Sequence, residues 1–140
     1  MSIDEFLAAY SSSFAQGELD RVGQQFHYPV HVVGSSAGAG AHVLSADEMH
    51  WRQVLDHVLG GYRRLGVEAA EVIEQTGFHL GDGVDLVHVR WRLRRPDMST
   101  VYEFDATYTI VTLGGHPLIA AVAHNETDRL RAALSGLGSE

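Results

Sequence analysis

The central part of the sequence holds two alternating segments joined by a short turn: VDLVHVRWRLRR at positions 84–95, PDMS at 96–99 and TVYEFDATYTIVTL at 100–113. In both long segments apolar and polar residues alternate, which is typical of strands that bury one face. The proline and aspartate of the linking tetrapeptide favour a turn. The sequence therefore predicts an antiparallel hairpin whose two strands share one buried face.

The charges of this hairpin predict its register. With Arg95 and Thr100 closing the turn, two opposite-charge pairs form between the strands: Arg92 with Glu103 and Arg90 with Asp105. Such pairs favour this register, and a slip of one residue would turn every side chain to the other face. One face then carries the apolar residues Val89, Trp91, Phe104 and Tyr108, and the other carries the charges.

Further strands are predicted on both sides of this hairpin. Turn signals at 81–83 and 114–117 separate it from strands at 67–80 and 118–125. Two registers of the last hairpin are open. Both place His124 opposite or diagonal to Tyr108 or Ala106, with Val122 and Ala120 on the same face, but weak alternation leaves that face undecided. A short strand is expected at 30–33, followed by a glycine-rich loop at 34–40.

Helices are predicted before and after the strands. Apolar residues at three- and four-residue spacing indicate a first helix from Ile3 to Phe14 and a short second helix through Phe26, ended by Pro29. Ser45 and Glu48 have the spacing of a capping box for a long third helix, which ends at a glycine. A last amphipathic helix carries Leu130 and Leu134. The predicted fold class is α+β, with three N-terminal helices packed on a curved antiparallel sheet.

Composition narrows the class of protein. The 140 residues, 1–140, are expected to form a single domain. There is no cysteine, which excludes disulfides and thiol catalysis, and a net charge of −8 argues against nucleic acid as a partner. Neither a secretory signal nor a long apolar run is apparent, so we expect a cytoplasmic protein with no membrane partner.

The order of elements resembles the nuclear transport factor 2-like superfamily, which includes ketosteroid isomerase, scytalone dehydratase and SnoaL-like polyketide cyclases. The resemblance spans about residues 3–134 and is carried by FLAAY at 6–10, AQGELD at 15–20, FHYP at 26–29 and YEFDATYTI at 102–110. It implies a sheet that curls around the helices and leaves a conical, mostly apolar pocket. These motifs mark a fold and no particular activity.

The resemblance also implies where site residues lie. Tyr10 falls where ketosteroid isomerase has its oxyanion-binding tyrosine, whereas the general-base position falls on Gly34 and the second acid near Ala106. Asp105 points outward in the predicted register, so that catalytic set is incomplete. A dehydratase set is similar only in part, because Ser11 follows Tyr10. An epoxide hydrolase set does not fit, since the arginines face outward. The alignment places His124 on the inner face.

These considerations give a set of candidate site residues. His124 is the candidate general base and Tyr10 the candidate hydrogen-bond donor to a ligand carbonyl. The alternative for each is ordinary core packing. The expected pocket lining consists of Tyr108, Trp91, Phe104, Val89, Val122, Trp51 and His31. His27 and His31 lack a carboxylate at metal-site spacing, so no metal and no cofactor are expected.

Two functions of different classes follow. The first is a SnoaL-like small-molecule protein, acting as an isomerase, cyclase or dehydratase by proton transfer on an apolar carbonyl compound. The alternative is a non-catalytic ligand-binding or protein-interaction module of the same fold. Whether the chain is an enzyme is left open. The arginines of the outer sheet face suggest an ion-paired surface or the interface of a homodimer.

Overall fold

The computed structural model describes residues 1–36 and 38–138, which contain four helices and six strands. In chain order these elements are α1 Ile3–Ala15, α2 Leu19–Gly23, β1 Phe26–Ser36, β2 Gly40–Ala46, α3 Glu48–Leu65, β3 Ala69–His79, β4 Val84–Arg94, β5 Thr100–Leu113, β6 His116–His124 and α4 Glu126–Gly138.

The six strands form one curved sheet in the order β2-β1-β6-β5-β4-β3. Neighbouring strands run antiparallel except for β1 and β6, which are parallel because the chain passes through β2, α3 and the other strands between them. The helices pack on one face of this sheet, and the apolar cluster lies between the two layers. The predicted α+β class is confirmed, with this one parallel pairing as a difference.

The hairpin of β4 and β5 has the predicted register. Arg90 pairs with Asp105 and Arg92 with Glu103, while Trp91 lies opposite Phe104 on the buried face. The register shifts by one residue near the turn, so that Arg94 and not Arg95 pairs with Thr100. Such a bulge strengthens the local twist of the two strands.

The ion pairs predicted for the outer face are formed. Arg90 contacts Asp105 at 2.8 Å and Glu103 at 3.1 Å, and Arg92 contacts Glu103 at 2.9 Å. Hydrogen bonds from these guanidinium groups hold the pKa of Glu103 below its ordinary value. Because Asp105 is engaged here, it does not reach the inner face.

The segment before α3 differs from the prediction. The second helix ends at Gly23, and Phe26 already belongs to β1, which runs through Pro29 to Ser36. Most of the stretch 34–40, predicted to be a loop, continues β1 or begins β2, while Ala37 lies outside the described residues. Strand β2 was missed because two of its seven residues are glycine or serine and only its last is buried, so it shows no alternation.

The start of α3 also differs. The cap is Asp47, whose side chain accepts a hydrogen bond from the backbone N–H of His50 at 2.8 Å. Ser45 lies in β2 opposite His31, so the predicted capping box is wrong. The end is as expected: Gly66 has a φ of 77°, the left-handed conformation that glycine adopts without strain.

A bulge in β6 decides which of its residues face inward. Thr109 pairs with Ala121 and Ile110 with Ile119, which leaves Ala120 without a partner in the ladder. Ile119 and Val122 are therefore both buried, and Ala120 does not share the inner face with Val122 as predicted. Beyond the bulge, His124 pairs with Ala106 as one of the two predicted registers requires.

None of the helices in the described ranges is both long enough and apolar enough to cross a membrane.

Candidate functional site

A cavity of about 570 Å³ lies between the helices and the inner face of the sheet. This volume is within the range of small-molecule sites, roughly 300–1,000 Å³. Its wall is mostly apolar and aromatic, with contributions from Phe26, Trp51, Leu55, Phe104, Val122 and Leu130. The polar groups that reach this wall are few, so their placement decides what the cavity can do.

Three aromatic side chains bring polar atoms together on the cavity wall: Trp91 and Tyr108 from the sheet and Tyr10 from α1. The indole N–H of Trp91 donates a hydrogen bond to the Tyr108 hydroxyl at 2.9 Å. The ring of Tyr10, from α1, lies 5.7 Å from that of Tyr108 in an edge-on contact. Burial raises the pKa of Tyr10 well above its ordinary value, with a further rise from the neighbouring Tyr108. Both hydroxyls are therefore neutral donors over the whole physiological pH range.

His124 lies at the end of β6, and its ring nitrogens are not equivalent. Nδ1 accepts a hydrogen bond from the backbone N–H of Glu126 at 3.1 Å. The proton of the neutral ring is therefore on Nε2, which makes this nitrogen a donor. Burial lowers the pKa of His124, and the neighbouring His42 lowers it further. The ring is thus held neutral with its N–H available to a ligand.

The most unusual group on the wall is Glu126, the first residue of α4. Its side chain is 8% exposed. The hydroxyls of Tyr62 and Tyr102 both donate to its Oε2, the latter at 2.7 Å. Burial raises the pKa of the carboxyl from 4.5 to about 7, although the two tyrosine hydrogen bonds oppose this rise. Near neutral pH the group can both accept and donate a proton, as general acid–base catalysis requires.

Local packing explains why this carboxyl is buried. Helix α4 lies close against α3 at Gly61, where an added Cβ would lie 3.1 Å from Leu130 Cδ1. The absence of a side chain at Gly61 allows this approach, which brings the first turn of α4 to Tyr62, the next residue of α3. Tyr102 reaches the same carboxyl from β5. The Glu126 carboxylate is therefore held by hydrogen bonds from two other elements, α3 and β5.

A second histidine stands close to His124. His42 of β2 pairs with Gly34 of β1, and Gly34 pairs in turn with His124. A Cβ at Gly34 would lie 2.4 Å from His42 Nε2, so the imidazole occupies the space that a side chain at position 34 would take. His42 is exposed on one side and lines the cavity on the other. The missing side chain at Gly34 thus admits a second imidazole to the site.

The structure brings together most of the side chains that the sequence singled out. The following seven lie on the wall of the cavity: Tyr10, Trp51, Trp91, Phe104, Tyr108, Val122 and His124. Val89 faces inward but is fully buried beneath the wall. His31 is exposed on the other face of β1 from the buried Val30 and Val32, and so is not a lining residue. The lining position predicted for His31 is therefore wrong, because the alternation of β1 turns Val30 and Val32 inward and His31 outward.

Sequence reasoning missed Glu126 and His42. Glu126 lies in the triplet Asn125-Glu126-Thr127, where a charged residue beginning a helix has the ordinary explanation of an exposed first turn. The signal that could have found it is the pair of tyrosines at 62 and 102, each at an inward position of its own element. Among the described residues there is no group of three or more side chains placed to hold a metal ion.

Comparison with known proteins gives the family. Residues 1–127 match the family described as NTF2-like protein (DUF6841). No curated protein matches the sequence.

Solved structures show the same fold at low identity. An NTF2-like protein of unknown function from Shewanella oneidensis MR-1 is 15% identical, with a TM-score of 0.66 over 88% of this chain and 95% of the other. A Streptomyces avermitilis protein of the NTF2-like family, provisionally assigned as a dehydratase, is 12% identical (TM-score 0.64, 88% and 91% covered). The protein Aln2 from another Streptomyces strain is 12% identical (TM-score 0.65, 94% and 92% covered). The chain belongs to the NTF2-like family.

Proposed function

We propose that this protein binds an apolar carbonyl compound in its cavity and transfers a proton on it, as an isomerase, cyclase or dehydratase does. The observation that carries the proposal is the Glu126 carboxyl, which is buried in the wall of an apolar cavity with a pKa of about 7. No ion pair joins this carboxyl to a cationic side chain of the described residues, so its burial costs stability, and pKa shifts of this kind concentrate at functional sites.

The surrounding groups suggest how the transfer proceeds. Ionised Glu126 takes a proton from a carbon next to the carbonyl group, through Oε1, because Oε2 is engaged by the two tyrosines. The electron pair of the broken C–H bond forms the C=C bond of an enolate, and the π pair of the carbonyl group moves onto its oxygen. The protonated carboxyl then returns its proton to another carbon, which is isomerisation, or to a leaving hydroxyl, which is dehydration.

Tyr108 is the residue we propose to stabilise the resulting oxyanion. Its oxygen already accepts the Trp91 N–H, so its own proton can point to a ligand, and the accepted bond makes that proton more acidic. The same bond lowers the pKa of Tyr108, although burial keeps it above the ordinary value. The hydroxyl of Tyr10 is hydrogen-bonded to that of Tyr108, and the Nε2–H of His124 is a further donor on the cavity wall. His124, the base expected from the sequence, is placed in this proposal as a donor.

Deuterium exchange tests the proton transfer without knowledge of the natural substrate. Cyclic ketones of about two or three rings are incubated with the protein in D₂O, and loss of the signals of the protons next to the carbonyl is followed by NMR. We expect the wild type to accelerate exchange and Glu126→Gln to lose about 100-fold or more, since general acid–base catalysis typically contributes roughly 10²–10⁴-fold. The exposed Glu74→Gln is the matched control and is expected to retain the rate.

The same experiment separates the enzyme from a non-catalytic binding module. Ketones that bind but exchange no faster than in buffer would contradict the enzymatic proposal and favour the binding module. The Streptomyces avermitilis relative makes dehydration the first reaction to examine after a ketone has been found.

We also propose a homodimer that forms through the outer face of the sheet, in the cytoplasm. The ion pairs of Arg90 and Arg92 with Asp105 and Glu103 balance the charge of this face, which supports a surface suited to a second copy. Arg92→Glu places like charges beside Glu103, and we expect it to reduce the mass in solution from twice 15.3 kDa to that of one chain. Arg21→Glu, at an exposed side chain of α2, serves as control. A wild type that sediments with the mass of one chain contradicts this proposal.

A further inference from the structure

The charged and titratable groups around the cavity have an unequal distribution of sign. The chain has a net charge of −8, yet among the described lining residues Glu126 is the only aspartate or glutamate. Four basic side chains line the same cavity: His42, His57, His124 and Arg131. They come from β2, α3, β6 and α4, so the excess arises from the fold and not from one charged segment. Apart from Glu126, the titratable groups of this wall are therefore hydrogen-bond donors, which suit a ligand with an anionic acceptor group.

Two of these side chains form a pair at one place on the wall. The imidazoles of His42 and His124 flank Gly34, with which both residues pair in the sheet. They are close enough that His42 lowers the pKa of His124 by repulsion of like charge. Since Gly34 has no side chain, the His42 ring occupies the space beside its Cα.

The hydrogen-bonding state of the pair favours an acceptor. Nδ1 of His124 is occupied by the Glu126 N–H, so Nε2 presents a proton. His42 is exposed and free to choose its tautomer, and can present a second N–H beside the first. Two adjacent N–H donors match the two oxygens of a carboxylate, whereas a dianionic phosphate would need more donors and more positive charge. Glu126 repels an anion only when it is ionised. The hydrogen bonds from the two tyrosine hydroxyls then partly neutralise its negative charge.

We propose that the ligand is an amphipathic carboxylic acid, whose carboxylate binds the imidazoles of His42 and His124 and whose apolar body fills the cavity. This inference rests on the proposed function, in that the same cavity receives the ligand. It adds a carboxylate-binding pair of histidines, which an apolar ketone would not need. His42 determines specificity here and takes no part in the proton transfer.

The test compares acids with their own methyl esters, which keep the shape and remove the charge. The probes are 2-naphthoate and lithocholate with their methyl esters, titrated calorimetrically near neutral pH. We expect at least one acid to bind about tenfold or more tightly than its ester, which corresponds to about 1.4 kcal/mol. His42→Gln is expected to reduce this preference to about twofold or less, with the affinity for the ester unchanged.

Two more variants make the result specific. Gly34→Ala places a Cβ against the His42 ring and is expected to reduce the preference for the acid in the same way. His50→Gln, on the exposed side of α3, is the control and should retain it. Loss of acid and ester affinity together in His42→Gln would mean that His42 only shapes the wall, and would overturn the inference.

The remaining outcomes separate this inference from the proposed function. Esters that bind as tightly as the acids, or more tightly, would overturn the carboxylate site and leave the apolar pocket in place. Binding of neither acids nor esters would overturn both.

Discussion

Relative to wild type, Glu126→Gln is expected to be about 2–3 kcal/mol more stable at about pH 8 than it is at about pH 5. The pKa of this carboxyl is raised from 4.5 in the unfolded chain to about 7 in the folded protein. The folded state therefore binds the proton more tightly, and the resulting stabilisation is present below about pH 4.5 and is lost as the pH rises through about 7. Glutamine does not ionise, so the variant lacks this loss. Urea unfolding of both proteins at the two pH values measures it.

The free energies of unfolding of the variant and the wild type must be compared at each pH, because the titration of His124 changes the stability of both proteins in the opposite direction. Its pKa is lowered by burial, so the stability it contributes is present above its ordinary pKa of 6.5 and is lost as the pH falls. Glu74→Gln, at an exposed position of β3, is expected to leave the difference between the two pH values unchanged. A Glu126→Gln effect that does not vary with pH would show that the carboxyl titrates as an exposed group, and would contradict its burial.

Val122→Trp is expected to weaken binding of any cavity ligand by about 100-fold or more while the protein remains folded. Val122 is 9% exposed and lies on the cavity wall opposite Tyr108 in the sheet. The indole enters the space that a ligand would occupy, and the volume of about 570 Å³ accommodates it without displacing the core. Binding of the best ketone or acid is measured by calorimetry, with a thermal melt to verify the fold.

The neighbouring residue supplies the matched control. Ala123 is exposed on the other face of the same strand, so Ala123→Trp adds the same side chain outside the cavity. We expect it to bind ligands as the wild type does. Equal affinity in both variants would place the ligand elsewhere on the protein and contradict the proposed site.

The sequence predicted those parts of the fold in which one face of a regular element is buried. The β4–β5 hairpin is the clearest example, because alternation and opposite charges specify the same register. The region from Phe26 to Ala46 was predicted poorly. There β1 runs through a proline, and β2 lies at the edge of the sheet with most of its side chains exposed, so neither strand carries the usual pattern.

The site was predicted in part for a related reason. Aromatic residues of the cavity wall, such as Trp91 and Tyr108, follow from the inward face of a strand whose register is known. Glu126 and His42 do not. Glu126 depends on the close approach of α4 to α3 at Gly61, and His42 depends on the missing side chain at Gly34, its partner in the adjacent strand. A glycine that makes room for a side chain of another element leaves no periodic signal in its own segment.

The central claim is that Glu126 is a buried acid–base group whose pKa lies near neutrality. Its most direct test is an NMR titration of protein labelled with ¹³C at the glutamate carboxyl carbons, with the Glu126 signal assigned by its absence from Glu126→Gln. We predict a midpoint of about 7 for this signal. A midpoint near 4.5, the ordinary value for glutamate, would contradict the account.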